Sequence, residues 1–453
     1  MILRVFQGGK GDCLMLTGAD GKKMLIDGNV GPAYKKHVAP VLGRMRDKGE
    51  MIDVVYLSHI DDDHIGGILQ MMNDEVAWRI HEFQIKTGNP KHKPPTAPRP
   101  PKMKAIWHNA FHDLVDDNTG EIEDMLAASA AILSGSENDA VKALAAAQGE
   151  LVTSISQSIK LTQRVSPEQL GLKLNEPAKG KLMLVRAAKS APIKLGGMRL
   201  SIIGPFSADL QKLREEWNAW LKANSKQLKT IRTQAKKDEA SFSVQEIGDI
   251  LQPKLDQAES LSELLPIGED SVSLAAFKLG VRTKVTTPNL ASLMLFVEEG
   301  KKTLLLTGDG HQDDILRGLE HLKKITKQKG LHVDVLKVQH HGSEHNIDEA
   351  FCRKITADHY IFCGNGEHEN PDVRVVKAIM DSRLGAKEQL SPNPEVGRPF
   401  KLWFNSHSTV TEKAAAKKHM RKVEKLVEQT AAKSKGKLSG TFLKSGSFVD
   451  IKI

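Results

Sequence analysis

Apolar runs recur along this chain, and most stop abruptly at a cluster of glycine and charged residues. Val5-Phe6 and Leu14-Met15-Leu16 flank a glycine-rich turn, and Met24-Leu25-Ile26 ends at Asp27-Gly28-Asn29. Each reads as a short strand closed by a turn. Tyr34 to Lys48 carries apolar residues at helical spacing. Val54-Val55-Tyr56-Leu57-Ser58 then predicts a buried strand opening into His59-Ile60-Asp61-Asp62-Asp63-His64. A helix is predicted from Ile65 to Met72, with Gly66 and Gly67 letting the backbone turn tightly beneath the loop. Further strands are predicted over 105–109, 182–185 and 198–205. A hairpin over 291–306, turning at Glu299-Gly300-Lys301, ends in Thr307-Gly308-Asp309-Gly310. Val333 to Val338 runs into Gln339-His340-His341-Gly342-Ser343, and Tyr360 to Gly364 precedes Asn365-Gly366-Glu367-His368-Glu369-Asn370-Pro371. No repeat of fixed period is visible.

Two stretches break this rhythm. Residues 76–180 hold a Pro-rich segment, with five prolines between Lys93 and Lys102, that reads as an extended, mobile loop, followed by an Ala/Ser/Leu/Gln-rich helical insertion. Residues 208–280 open with a charged helical pattern and read as a second insertion. The organisation expected is therefore 1–75 and 281–385 as two halves of one domain, with core strands at 181–207. Residues 386–453 supply a strand, a basic helix and a closing strand at 445–453.

With 453 residues, 40% hydrophobic and 27% charged, the chain is long enough to bury a sizeable core. No apolar run approaches a membrane span, so no membrane partner is expected. The first residues lack the apolar stretch and cleavage site of a signal peptide. Three widely spaced cysteines, Cys13, Cys352 and Cys363, argue against a disulfide framework and for a reducing cytoplasm. The net charge of +9 is concentrated. Thr411 to Lys437 carries nine Lys/Arg against three Glu, and Pro90 to Lys104 adds five basic residues with no acid. Such segregation suits a polyanion, although an Ala/Lys-rich helix is equally read as a solvated face.

The strand-end loops carry the chemistry. Imidazole nitrogen and carboxylate oxygen are the donors a hydrolytic divalent metal takes, and the loop 59–64 packs several of them side by side. Strand, Gly-Asp, strand, then His-His-Gly-Ser is hard to explain by packing. A carboxylate beside glycine at a strand terminus is well placed to bridge two cations about 3.5–4 Å apart.

The pieces FQGGKGDCLML, KKMLIDGN, SHIDDDHIGG, NLASLMLFVEEGKKTLLLTGDG, DVLKVQHHGS and HENPDVRVVKAI, in that order, resemble the metallo-β-lactamase superfamily. Within it they are most similar to the hydrolase domain of ComEC-type DNA-uptake proteins. The resemblance implies an α/β fold, a four-layer αββα sandwich with two largely helical insertions and the metal centre at one edge of its sheets. It implies His59 and Asp61 as ligands of a first metal, Asp63 and His64 of a second, and Asp309 as the bridge. His341 completes the second site, and His340 faces the substrate phosphate; the pair alone leaves their order open. Asn289 and Asn370 fall where relatives place histidines, and His368 joins Asn370 beside the substrate. Asp27 reads either as a support for a metal-bound histidine or as a turn-former. His108 reads as packed rather than facing the site, and Cys13 as core.

Carboxylate and amide in place of imidazole harden the first site toward Mn²⁺ or Mg²⁺, with Zn²⁺ compatible with the second. The expected cofactors are two divalent ions, Mn²⁺ or Zn²⁺. The expected function is a metal-dependent hydrolase, a phosphodiesterase or nuclease with catalytic Asp63, Asp309 and His340, acting on nucleic acid or another phosphodiester. The alternatives are a hydrolase of a small ester, nucleotide or amide, and a non-catalytic module that binds a protein partner through its helical insertions.

Overall fold

The computed structural model describes residues 1–109, 160–161, 163–186, 190–208, 279–280 and 291–453. Most of the two stretches expected to be helical insertions, and Asn289, lie outside the described residues.

Two sheets organise the rest. The first runs in the order β15-β1-β2-β3-β4-β5-β6, from β1 (Ile2–Phe6), β2 (Leu14–Thr17), β3 (Lys23–Ile26), β4 (Met51–Tyr56), β5 (Lys102–Trp107), β6 (Lys173–Leu174) and β15 (Phe448–Lys452). The second runs β14-β13-β12-β11-β10-β9-β8-β7. Its strands are β7 (Ile193–Leu195), β8 (Met198–Gly204), β9 (Met294–Glu299), β10 (Lys302–Leu306), β11 (Leu331–Lys337), β12 (Ile355–Phe362), β13 (Phe400–Phe404) and β14 (Leu438–Phe442). Pairing is parallel from β3 through β6 and from β10 through β14. The carboxyl ends of those strands therefore share one edge of each sheet, where open α/β sheets bind their ligands.

Side-chain alternation divides the core. Met24 and Ile26 of β3 and Val54 and Tyr56 of β4 join Leu200, Leu295, Leu304, Leu306 and Val335 in a cluster common to both sheets. The alternate residues Leu25 and Val55 pack instead on Val41 and Leu42 of α1 (Ala39–Asp47) and on Ile65, Ile68 and Met72 of α2 (Asp62–Lys86). In the second sheet Phe296, Leu305, Leu336, Phe362 and Phe404 pack on four helices. These are α3 (Gln312–His321), α4 (Glu349–Lys354), α5 (Val373–Leu384) and α6 (Ala414–Lys433). Period-two burial on both faces is what strands covered on each side require.

The structure corrects the sequence reading in three places. The helix after the 59–64 loop starts at Asp62, not Ile65, and continues to Lys86. Asp62 and Asp63 fall in its first turn, where carboxylates complement the helix dipole. Gly66 and Gly67 are helical, and Gly67 serves close approach rather than turning. Its N–H donates to Asn29 O at 2.7 Å, and a Cβ there would lie 1.9 Å from Gly28 O. The Pro-rich loop touches the body: Arg99 pairs with Glu75 and Glu82 of α2, and Trp78 Nε1 donates to Ala97 O at 2.9 Å. Over 182–185 only an isolated bridge forms, Val185 to Phe206, because Asn109 takes both the N–H and the carbonyl of Met183.

The C-terminal residues enclose the body. β14 extends the second sheet beside β13, and β15 pairs antiparallel with β1, where Arg4 meets Asp450 through two 2.8 Å contacts. All three cysteines are buried and free, and no described helix is long and apolar enough to cross a membrane.

Gly67→Ala is expected to cost roughly 1–3 kcal/mol by overpacking the α2–β3 junction. Chemical denaturation checks this, and a stability within 0.5 kcal/mol of the parent would contradict the close approach described.

Candidate metal centre

Loops from both sheets deliver the site. The turn after β1 contributes Asp12, the end of β3 Asp27, and the end of β4 with the first turn of α2 Ser58, His59, Asp61, Asp63 and His64. The end of β10 supplies Asp309, β11 ends at Lys337, and the turn beyond it carries His340 and His341. Two glycine approaches hold the first set together. Gly28 N donates to His64 O at 2.7 Å, and Asp12 N to Asp63 O at 3.2 Å, beside Gly11, where a Cβ would sit 2.0 Å from that same oxygen. The His-His turn is strained: His340 and His341 have φ of 45° and 55°, outside the usual range of residues that carry a Cβ.

The four imidazoles share one arrangement. Asp27 accepts from Ser58 N–H at 2.7 Å and from Ser58 Oγ at 2.8 Å, and its Oδ2 lies 2.9 Å from His64 Nδ1. With its proton committed to Asp27, Ser58 Oγ is the acceptor for His59 Nδ1 at 3.0 Å. Asp12 Oδ1 lies 3.1 Å from His341 Nδ1, and Asn346 Oδ1 lies 2.7 Å from His340 Nδ1. Every Nδ1 is thus tied to a supporting group, the device that orients metal-binding histidines, and every Nε2 points inward.

The inward atoms converge on one oxygen. Asp309 Oδ2 lies 3.4 Å from the Nε2 of both His64 and His341, 3.7 Å from that of His340 and 3.8 Å from that of His59. Asp63 Oδ2 is 3.0 Å from His341 Nε2, and Asp61 Oδ2 is 3.5 Å from His59 Nε2. The Nε2 atoms of His59, His64 and His341 are fully buried, yet none has a hydrogen bond of acceptable geometry. Buried polar atoms left unpaired cost about 1–3 kcal/mol each, so three pointing at one carboxylate call for a cation between them. Asp12, His64, Asp309 and His341 also bring one donor atom each within 4.8 Å of one another. Asp12 is the least available of these, because His341 Nδ1 and Lys337 Nζ both engage it. Asp63 is the better-placed carboxylate.

Electrostatics agree. Five carboxylates, those of Asp12, Asp27, Asp61, Asp63 and Asp309, meet one fully buried lysine. Lys337 Nζ contacts Asp12, donates to Gly308 O at 3.0 Å and lies 3.5 Å from Asp309 Oδ1. Burial works against this ammonium, but Asp12 and Asp309 outweigh it and raise its pKa. Burial likewise opposes charge on Asp309 and Asp63, yet the surrounding histidines hold both well below the usual carboxylate range. His341, despite burial, is pushed up to about 10 by Asp309, Asp12 and Asp63, and His64 is also raised. His340 moves the other way, because burial outweighs Asp309, and it is neutral at neutral pH.

The remaining sequence candidates stand apart. His368 is exposed in a turn closed by Gly366 N donating to Asn370 O at 2.8 Å. No hydrogen bond or ion pair joins His368 or Asn370 to the cluster among the described residues. His108 and Cys13 are buried. Sequence reasoning missed Asp12, Ser58, Lys337 and Asn346 as parts of the site. The available signal was a lysine inside the apolar run of β11 and an aspartate in a glycine turn.

Residues 7–125 match the metallo-beta-lactamase superfamily model, a span that holds Asp12, Asp27 and the whole 59–64 loop. No curated protein matches the chain. Asp309, Lys337, His340 and His341 lie beyond the matched span, in the same compact unit of the chain. The match and the cluster together suggest a metal-dependent hydrolase.

In the metal-free protein His341 is protonated at neutral pH, so metal loading is expected to release protons, and affinity to rise with pH up to about 10. Calorimetry in buffers of different ionisation enthalpy checks this; a binding heat independent of buffer would contradict it. The same raised pKa stabilises the metal-free fold fully below the unfolded value of 6.5, and that contribution is lost as pH rises through about 10. Lys337→Met leaves Asp12 and Asp309 buried without their cation. It should cost the metal-free protein roughly 3–5 kcal/mol in denaturant, partly restored by divalent metal.

Proposed function

We propose that this protein is a phosphodiesterase acting on nucleic acid, built on the four-layer αββα arrangement that its two sheets and three apolar clusters suggest. One observation carries the metal reading: three buried Nε2 atoms, none in a well-formed hydrogen bond, directed at a single oxygen of Asp309. His59, Asp61 and Asp309 would hold a first ion, with Asn289 as a further donor from outside the described residues. Asp63, His64, Asp309 and His341 would hold a second. When bound, such ions lower the pKa of water and offset charge growing on phosphate oxygens.

The chain's own groups have separable tasks. Asp309 would contribute to both sites. Asp63, on the first turn of α2, would orient the attacking water by accepting a hydrogen bond from it. His340, its Nδ1–H donating to Asn346 Oδ1, would turn Nε2 toward a non-bridging phosphate oxygen and stabilise it once protonated there. His368 and Asn370, on the neighbouring turn, would meet the substrate farther from the reacting phosphorus. The carboxylate-rich donor set supports Mn²⁺ as the best activator, with Mg²⁺ next and Zn²⁺ confined to the histidine-rich second site.

Cleavage of labelled single- and double-stranded DNA and RNA, by stripped protein re-supplied with each metal, tests this reading. Mn²⁺-dependent cutting is expected, reduced at least 10³-fold in Asp309→Ala and about 10–100-fold in His340→Ala. Turnover of bis(p-nitrophenyl) phosphate with every polynucleotide left intact would move the substrate to a small ester. Absence of metal binding altogether would overturn the reading.

A further inference from the structure

Some cations of the body are paired. Lys22 and Lys104 share Asp53, Arg99 spans two glutamates, Lys302 meets Asp334, and Arg398 meets Asp358. Helix α6 gathers exposed cations along one face. Lys418, Arg421, Lys422, Lys425 and Lys433 are exposed, and none has a carboxylate within ion-pair distance among the described residues. Of the helix's two glutamates, Glu424 is turned inward, accepting from Ser408 N at 2.6 Å and Ser408 Oγ at 2.8 Å, so it does not neutralise the row. Only Glu428 remains exposed among the lysines.

Lys418, Lys422, Lys425 and Lys433 fall at helical spacings of four, three and eight residues, with Arg421 beside them. They make one stripe of roughly 22 Å, long enough to follow several phosphates. The opposite face carries Met420, Val423 and Val427, all buried against the body. That burial argues against a lipid surface, because an interfacial helix needs its apolar face free. The helix is also fixed to the metal centre's surroundings. His419 Nε2 lies 2.8 Å from Pro371 O, and Pro371 packs against Gly342, next to His341.

We infer that the exposed face of α6 is a docking track for the phosphate backbone of a polynucleotide. The inference rests on the phosphodiesterase reading for the identity of its polyanion. The track would be indifferent to base sequence, because lysine ammonium groups recognise charge alone.

The test is fluorescence anisotropy of the full-length protein, as purified and in EDTA, with 30-nucleotide single-stranded DNA, single-stranded RNA and duplex DNA over 50–200 mM KCl. A Lys418→Gln/Arg421→Gln/Lys422→Gln/Lys425→Gln variant should keep its thermal midpoint and lose at least tenfold in affinity. Its log–log salt slope should be shallower by roughly three. Glu428→Lys should bind several-fold tighter. Wild type that ignores all three probes, variants that bind like wild type, or a preference for phosphatidylserine vesicles would each overturn the track. Which DNA or RNA binds best identifies the physiological polyanion. Binding through α6 by a protein that hydrolyses only bis(p-nitrophenyl) phosphate would sink the nuclease reading and leave the track standing. Metal-dependent cutting unaffected by the quadruple variant would do the reverse.

Discussion

A single oxygen, Asp309 Oδ2, lies at the focus of four imidazoles drawn from two loops, and the rest of the site is arranged around keeping it there. Like charges held this close inside a protein are unfavourable unless something positive sits among them. Lys337 supplies part of that charge permanently. Protons on His64 and His341 supply another part when no metal is present, which explains how the carboxylates remain ionised in a buried space. The site is thus electrostatically closed in more than one occupancy, a requirement for any protein that must fold before it captures an ion.

The supporting groups follow from the same demand. Asp27, Asp12, Ser58 and Asn346 each hold one Nδ1, and each is anchored in turn by the backbone of a strand end or by the glycine approaches at Gly11 and Gly28. The parallel strands matter because they bring these ends to one edge. Their burial on both faces keeps the edge rigid, so that a displacement of a few tenths of an ångström at a ligand is resisted by the packed core.

Much of this was legible in the sequence where the chemistry is local. His59 to His64 advertises itself because six consecutive residues hold four of the donor groups, and Gly308-Asp309 and His340-His341 sit at ends of apolar runs. The hairpin of β9 and β10 was readable from its turn. What could not be read was pairing across the chain. Asp12 and His341 are 329 positions apart, and nothing in either neighbourhood names the other. Helix α2 was misjudged at its start, since acidic residues in a donor loop look the same as acidic residues in a first helical turn. For a related reason the contacts of the Pro-rich segment were not legible: prolines set local stiffness, but Arg99 and Trp78 decide what the segment rests on.

The contact between Lys337 and Asp12 has a consequence for how the molecule comes into being. It ties the turn after the first strand to the fourth-from-last strand of the second sheet, so a loop of more than three hundred residues must close before the lysine finds its partner. Closing a loop of that length is entropically unrewarded until the sheets themselves have formed. During synthesis, therefore, the amino-terminal histidines and aspartates emerge long before the partners that orient them, and an ion meeting the nascent chain finds scattered donors in place of a site. Discrimination between metals is deferred until the fold is complete, and the geometry of the finished edge, more than the order in which ligands appear, decides which ion stays.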